Sequence, residues 1–175
     1  PLVKEISEKL GKKASFEILG EKILLDLNHY ESFLNSSVHI IRNMLDHGLE
    51  TEDERIKAGK DKEGKIKISI LKKVESIRIS FQDDGRGIDN KRLRFIIIEK
   101  GLANEEEANE MKPKDLYQFL FNPLFSTKEE VSELSGRGVG LDVIKKEVDN
   151  LKGTIEVLST EGKGTQFIIE LPIFK

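Results

Sequence analysis

In the stretch HIIRNMLDHG, residues 39–48, His39, Asn43 and His47 recur at four-residue steps. On a helix that spacing stacks the three side chains along one stripe. An amide oxygen is a hard ligand suited to a divalent metal, and imidazoles exchange protons near neutral pH. Two readings stand at this point: a polar stripe facing water, or a row of groups facing a ligand. Ile41, Met44 and Leu45 point elsewhere and are free to pack.

Four other stretches carry chemistry. DDGRGID, 83–89, follows a run that alternates like a strand, and its Asp-Gly step suits a tight turn. Two glycines one residue apart, with acidic neighbours, also let a ligand approach the backbone and offer a carboxylate to an exocyclic amine. GRGVG, 136–140, opens a helix, where free N–H groups and the positive end of the helix dipole favour phosphate. It is neither a dinucleotide fingerprint, lacking a strand just before it, nor a P-loop, lacking a closing Gly-Lys-Ser/Thr. FSTK, 125–128, and GKGT, 162–165, read singly as a loop and a hairpin turn.

Composition narrows the classes. The 175 residues suffice for one domain with a proper core. Hydrophobic residues make up 37% and charged residues 35%, with a formal net charge of −3, so no basic excess points to nucleic acid. With no cysteine there is no disulfide, thiolate nucleophile or Cys-based zinc site. No apolar run approaches the roughly 18 residues of a membrane span. The opening PLVKEISEKLGKK is too charged for a signal peptide. It begins inside an amphipathic pattern, and the expectation is a domain cut from a longer protein.

The elements that must position these groups follow from periodicity. A helix over 2–10 closes at Gly11, and ASFEILGEKILLD reads as two short strands around Leu19–Gly20, a hairpin. Apolar spacing predicts a helix over 30–47, stopped by Gly48. The polar run LETEDERIKAGKDKEG reads as a solvated loop. KIKISIL and SIRISFQDD alternate as strands and pair antiparallel across KKVE. Helices follow over 91–100, after a capping box at Asn104 and Glu107, and from Pro113 to the break at Asn122–Pro123. From Leu124 to Arg137 no period emerges. A helix marked by Leu141, Ile144, Val148 and Leu151 then leads into a strand pair around TEGKG. The whole is an α/β sandwich, one mixed sheet with helices on one face.

The joint order of the motifs decides the reading. It resembles the GHKL ATPase superfamily, the Bergerat-fold nucleotide binders, and within it the ATP-binding catalytic domain of CheA-type chemotaxis histidine kinases. HIIRNMLDHG is similar to the family's N box, DDGRGID to its first G box, and FLFNPLFSTK to its F box. SGRGVGLDVIK is similar to its second G box and GKGT to its last box; EKGL at 99–102 and GLETEDERIKAGK after the N box fit as well. The resemblance covers nearly the whole chain. It implies a mixed, mostly antiparallel sheet with helices on one face and a mobile ATP lid.

Carried over residue by residue, the resemblance implies ATP and Mg²⁺ as cofactors. Asn43 would hold Mg²⁺ against the phosphates, with His39 near the metal and the γ-phosphate. Asp46 and His47 would lie toward triphosphate and ribose. Asp83 would accept from the adenine amino group, supported by Thr165 through a water, with Gly85, Gly87 and Ile88 lining the base. Ser126, Thr127 and Lys128 would begin the lid, and Gly136, Arg137, Gly138, Val139, Gly140 and Leu141 would end it on the phosphates. His39, Asn43 and Lys128 are the candidate catalytic residues. The implied activity is a cytoplasmic histidine protein kinase of two-component chemotaxis signalling, possible at the periphery of membrane receptor arrays. It would pass the γ-phosphoryl to a histidine on a separate phosphotransfer domain. Its other partners would be the dimerisation and receptor-coupling domains of the full-length kinase, with no nucleic acid and no membrane span. The rivals are a non-catalytic nucleotide sensor and an anti-sigma-type Ser/Thr kinase on the same fold.

Overall fold

The structure, a computed structural model, describes residues 11–20, 23, 27–125 and 140–174. Five strands form one sheet in the order β1-β2-β3-β5-β4: β1 Ala14–Gly20, β2 Gly64–Lys72, β3 Ser76–Asp83, β4 Thr154–Thr160 and β5 Gly164–Pro172. β1 runs parallel to β2, and every other pair is antiparallel. The described helices are α1 Leu27–Asn43, α2 Glu52–Lys57, α3 Asn90–Glu99, α4 Glu105–Glu110, α5 Pro113–Gln118 and α6 Leu141–Asn150.

The alternation seen in the sequence builds the core. On β3, Ile77, Ile79 and Phe81 face one side, opposite Leu171, Ile169 and Phe167 of β5. Fully burying such a side chain contributes roughly 1.5–3 kcal/mol, and Ile77, Phe81, Phe167, Ile169 and Leu171 are all buried. α1 packs against α6 over that face, bringing Tyr30, Phe33, Ile40, Ile144 and Val148 into one cluster with the strands. Tyr30 satisfies its buried hydroxyl by donating to the carbonyl of Pro172 at 2.7 Å. The expected sandwich, one mixed sheet with helices laid on a face, is what the chain adopts.

Local signals also hold. Asn104 and Glu107 exchange both bonds of a capping box, Pro113 opens α5, and Asp89 caps α3 through the amides of Lys91 and Arg92. Three differences have physical causes. β1 takes its partner from residues fifty positions away, Ala14 opposite Gly64, a pairing that local turn chemistry could not announce. The second arm of the expected hairpin falls on 21–26, which apart from Ile23 lie outside the described residues, as does the expected helix over 2–10.

The central helix starts at Leu27, earlier than expected, and its last turn, Met44–Gly48, widens into a π turn closed by Leu49 N–H donating to Met44 O at 2.7 Å. Finally, the polar run after Gly48 is not a solvated loop. It folds into α2 behind a Thr51–Glu54 capping box and buries Arg55 to 1% exposure. A buried guanidinium requires partners, and they come from other segments of the chain.

Candidate functional site

The period-two pattern of β3 has a consequence at its end. Ile77, Ile79 and Phe81 point into the core, so Asp83, two residues on, points the same way. Asp83 is 3% exposed. Its Oδ1 accepts from the backbone N–H of Gly85 at 2.8 Å and of Thr165 at 3.3 Å. Oδ2 lies beside Gly48 and takes no donor among the described residues. Burial pushes the carboxyl up to about 6, with the carboxylates of Asp84 and Glu50 adding to the shift and the two N–H donors opposing it.

Three motifs far apart in the sequence meet at this carboxylate. The π turn contributes Gly48, whose carbonyl accepts from Arg86 N–H at 2.8 Å. The Asp-Gly turn contributes Gly85, where a Cβ would stand 2.1 Å from that same carbonyl. Gly87 has φ +69°, and a Cβ there would meet the carbonyl of Thr160 at 2.3 Å. These glycines are thus required inside the protein itself, in addition to the ligand approach read from the sequence. The last strand contributes Thr165, which contacts Asp83 directly through its main chain. Its hydroxyl bonds Ser159 Oγ at 3.1 Å; Ser159 in turn donates to Gly164 O and accepts from Ile88 N–H at 2.9 Å. Ile88, Thr165 and Asp83 are therefore tied through one serine that the sequence did not single out.

Along α1, His39 and Asn43 are half-buried, Asp46 is half-buried on the π turn, and His47 is exposed. Burial and the neighbouring Arg42 hold the His39 imidazole below its ordinary value, so it is neutral at neutral pH. Lys12 donates to the carbonyls of Leu45 and Asp46 at 2.8 and 2.6 Å, filling acceptors at the end of the π turn. Gly140 is the N-cap of α6 and supplies no side-chain cap; Leu141 follows as the first helical residue, half-buried. Of the first-turn amides of α6, that of Val143 donates to Gly140 O at 3.4 Å, and the N-cap brings no side-chain acceptor to the turn. Ser126, Thr127, Lys128, Gly136, Arg137, Gly138 and Val139 lie outside the described residues.

The residues that sequence reasoning missed surround Asp84. Arg55 Nη1 and Nη2 donate to the two carboxylate oxygens of Asp84 at 3.1 and 2.9 Å, and Nη1 also reaches Glu50 at 3.1 Å. Lys60 Nζ reaches Glu50 Oε1 at 2.7 Å. The one signal was that GLETEDERIKAGK fits the resemblance, although its polarity reads as solvated.

Among the described residues no cluster of three or more His, Asp or Glu side chains could hold a metal, and no helix is long and apolar enough to cross a membrane. Residues 35–175 match the family described as histidine kinase-, DNA gyrase B-, and HSP90-like ATPase. The chain is 42% identical over 172 residues to the chemotaxis protein CheA of Borreliella burgdorferi, covering 98% of this chain and 20% of that protein. It is 35% identical to the CheA of Bacillus subtilis, covering 98% and 26%, and 39% identical to the sensor histidine kinase CheAY of Helicobacter pylori, covering 98% and 21%. The chain thus spans about a fifth to a quarter of the length of these relatives. Among solved structures, the catalytic domain of histidine kinase ThkA superposes with a TM-score of 0.54 at 20% identity, covering 98% of this chain and 86% of that one. The mycobacterial sensor histidine kinase MprB gives 0.56 at 15% identity, covering 98% and 90%. With the sheet order, the motif positions and these matches in agreement, the chain belongs to the histidine kinase-, DNA gyrase B- and HSP90-like ATPase family.

Proposed function

We propose that residues 1–175 are a single ATP-binding catalytic domain, a piece of a CheA-type histidine kinase of two-component chemotaxis signalling. It works in the cytoplasm with the phosphotransfer, dimerisation and receptor-coupling domains of the full-length kinase. The observation that carries this reading is Asp83: an almost fully buried carboxylate with one oxygen filled by backbone N–H groups and the other left for a donor. The adenine amino group is such a donor. A carboxylate whose value has been raised to about 6 is ionised at pH 7.5 and is drawn further toward its charged form by that bond.

At the other end of the nucleotide, the start of α6, whose N-cap glycine brings no capping side chain, would offer its leading amides to phosphate oxygens. Mg²⁺ fits this chain as a guest that arrives with the nucleotide: the described residues hold no carboxylate cage, and Asn43 is a single half-buried hard ligand. When bound, the metal neutralises charge on the β- and γ-phosphates. Asn43 would hold it, with the neutral His39 one turn earlier near the γ-phosphate. Asp46 and His47 lie toward ribose and triphosphate. Ser126, Thr127, Lys128 and Gly136 to Val139 keep the lid roles that the resemblance gives them, with Lys128 bearing on the transferring group. Catalysis by such a domain is mostly positioning and charge stabilisation, and the nucleophile, a histidine, comes from the separate phosphotransfer domain.

The test is incubation with γ-labelled ATP and Mg²⁺, with and without the matching phosphotransfer domain. The expected result is acid-labile label on that domain and none on this chain. Acid-stable label would point to a Ser/Thr kinase, and nucleotide binding with no transfer at all to a sensor.

A further inference from the structure

The turn that carries Asp83 is held from behind by two cations from the polar run after the N box, and the bonds converge on one peptide group. The peptide joining Asp84 to Gly85 has its carbonyl on Lys60 Nζ at 2.9 Å, with Arg55 Nη1 at 3.4 Å. Its N–H is the Gly85 donor that reaches Asp83 Oδ1 at 2.8 Å. A trans peptide is planar, so its C=O and N–H point in opposite directions. Fixing the carbonyl on Lys60 therefore aims the N–H at Asp83. A cation on the oxygen also polarises the group and strengthens the bond its N–H donates.

Everything else about the two cations supports that grip. Lys60 also binds the next carbonyl, Gly85 O, at 2.7 Å. Arg55 clamps the Asp84 carboxylate with both terminal nitrogens, and the same carboxylate accepts from Lys65 N–H at 2.8 Å. Glu50, 8% exposed, bridges the two cations, and Arg55 Nε is occupied by Asp61 O at 2.6 Å. Among the described residues, neither Lys60 nor Arg55 hydrogen-bonds Asp83 itself, whose Oδ1 takes the backbone N–H groups of Gly85 and Thr165.

We infer that Lys60 and Arg55 are positioning residues for base recognition, setting through the Asp84–Gly85 peptide how strongly Asp83 selects a purine bearing a 6-amino group. The inference rests on the reading of Asp83 as the adenine acceptor. By neutralising Glu50 and Asp84, the pair also limits the repulsion those carboxylates exert on Asp83.

The experiment measures, by calorimetry on the 175-residue chain, the affinities for ADP and for inosine diphosphate, in which a carbonyl replaces the amino group. The parent is compared with Lys60→Met, Arg55→Gln and Asp83→Asn. Lys60→Met is the decisive variant, because the Lys60 side chain keeps 17% exposure and its stem can pack without the charge. In Lys60→Met, the preference for ADP is expected to fall about tenfold through weaker ADP binding, with inosine diphosphate within about twofold of the parent. The Gly85 amide proton resonance is expected to move upfield as its bond to Asp83 lengthens. A merely structural role would move neither the ratio nor that resonance. An unchanged ratio in folded Lys60→Met and Arg55→Gln overturns the inference, and so does an equal loss for both nucleotides or failure of both variants to fold. If Asp83→Asn itself keeps the parent's preference, the adenine reading has failed. If Asp83→Asn loses the preference while Lys60→Met keeps it, only the inference about Lys60 and Arg55 has failed.

Discussion

Two carboxylates on the same pair of strands, β3 and β5, face opposite sides of the sheet and have opposite fates. Glu170, on the open face, accepts from Lys73 at 2.6 Å, Ser76 at 2.8 Å and Arg78 at 3.1 Å, and these bonds hold it down to about 2. Asp83, on the helix-covered face, receives among the described residues only two backbone N–H groups and is pushed up to about 6 by burial. The nearby cations Arg55 and Lys60 are taken by Asp84 and Glu50. A carboxylate buried for architecture alone would be expected to hold a cation, because an unpaired buried charge is costly. What distinguishes a recognition group from a structural one here is unfilled acceptor capacity on the dry side of the sheet.

The sharpest way to break this contrast is Asp83→Asn. ADP affinity should drop by about a hundredfold or more, because a site built on one charged hydrogen bond rejects its loss. The thermal midpoint at pH 8 should not fall, since the substitution removes a desolvated charge while keeping an acceptor for Gly85 and Thr165. Unchanged ADP affinity in the folded variant, read by calorimetry, would place Asp83 alongside Glu170 as a structural group.

Gly85→Ala tests the packing side of the site. Its methyl would stand 2.1 Å from the carbonyl of Gly48, a main-chain atom that cannot step aside. A loss of about 2–3 kcal/mol in denaturant unfolding is expected, as for other overpacked positions. A wild-type unfolding midpoint would show that the π turn and the Asp-Gly turn are less tightly joined than their contact implies.

Acid titration of the ligand-free protein reads the two carboxylates with opposite signs. Asp83 has a folded value above its unfolded one, so its contribution is fully present below about 4 and is lost as pH rises through about 6. That loss amounts to about 1–3 kcal/mol. Glu170 has a lowered value, so its contribution is present above the ordinary carboxylate range and is lost as pH falls toward about 2. Asp83→Asn should abolish the decline between pH 4 and 6. ADP binding should move the other way, strengthening as pH rises through 6 in the parent and remaining flat in Asp83→Asn. A parent whose ADP affinity is level from pH 5 to 8 contradicts the assignment.

The smallest effect belongs to Glu170→Gln. The ion cluster is partly solvated and screened, so the thermal midpoint should shift by only about 2 °C, with ADP affinity unchanged. Any loss of nucleotide binding in this variant would mean that the two faces of the sheet are coupled.

The legible parts of the molecule are those whose signals are local. Alternation in SIRISFQDD set the strand and its faces, and continued by two residues it places Asp83 inside. Asn104 with Glu107, Pro113 and Gly153 marked helix ends through chemistry confined to a few residues. The illegible parts depend on distant partners. Arg55 looks solvated in EDERIK because the Asp84 that buries it is 29 residues away. β1 looks like half of a hairpin because its partner strand begins only at Gly64. The motif order pointed to Asp83, while nothing local pointed to Lys60 or Ser159.

The π turn at Met44–Gly48 also changes angular phase along the helix. An α-helix advances about 100° per residue, so Asn43 stands about 40° round from His39, and a continued α ladder would carry His47 to about 80°. A wider turn advances each residue by roughly 80°, so four steps fall short of a full rotation and the drift runs backward. His47 thereby swings back toward the azimuth of His39, and Gly48 arrives against Asp83. The turn acts as a vernier whose length is fixed to the residue. Deleting one residue from 44–48 would restore an unbroken α ladder and rotate Gly48 off the carboxylate.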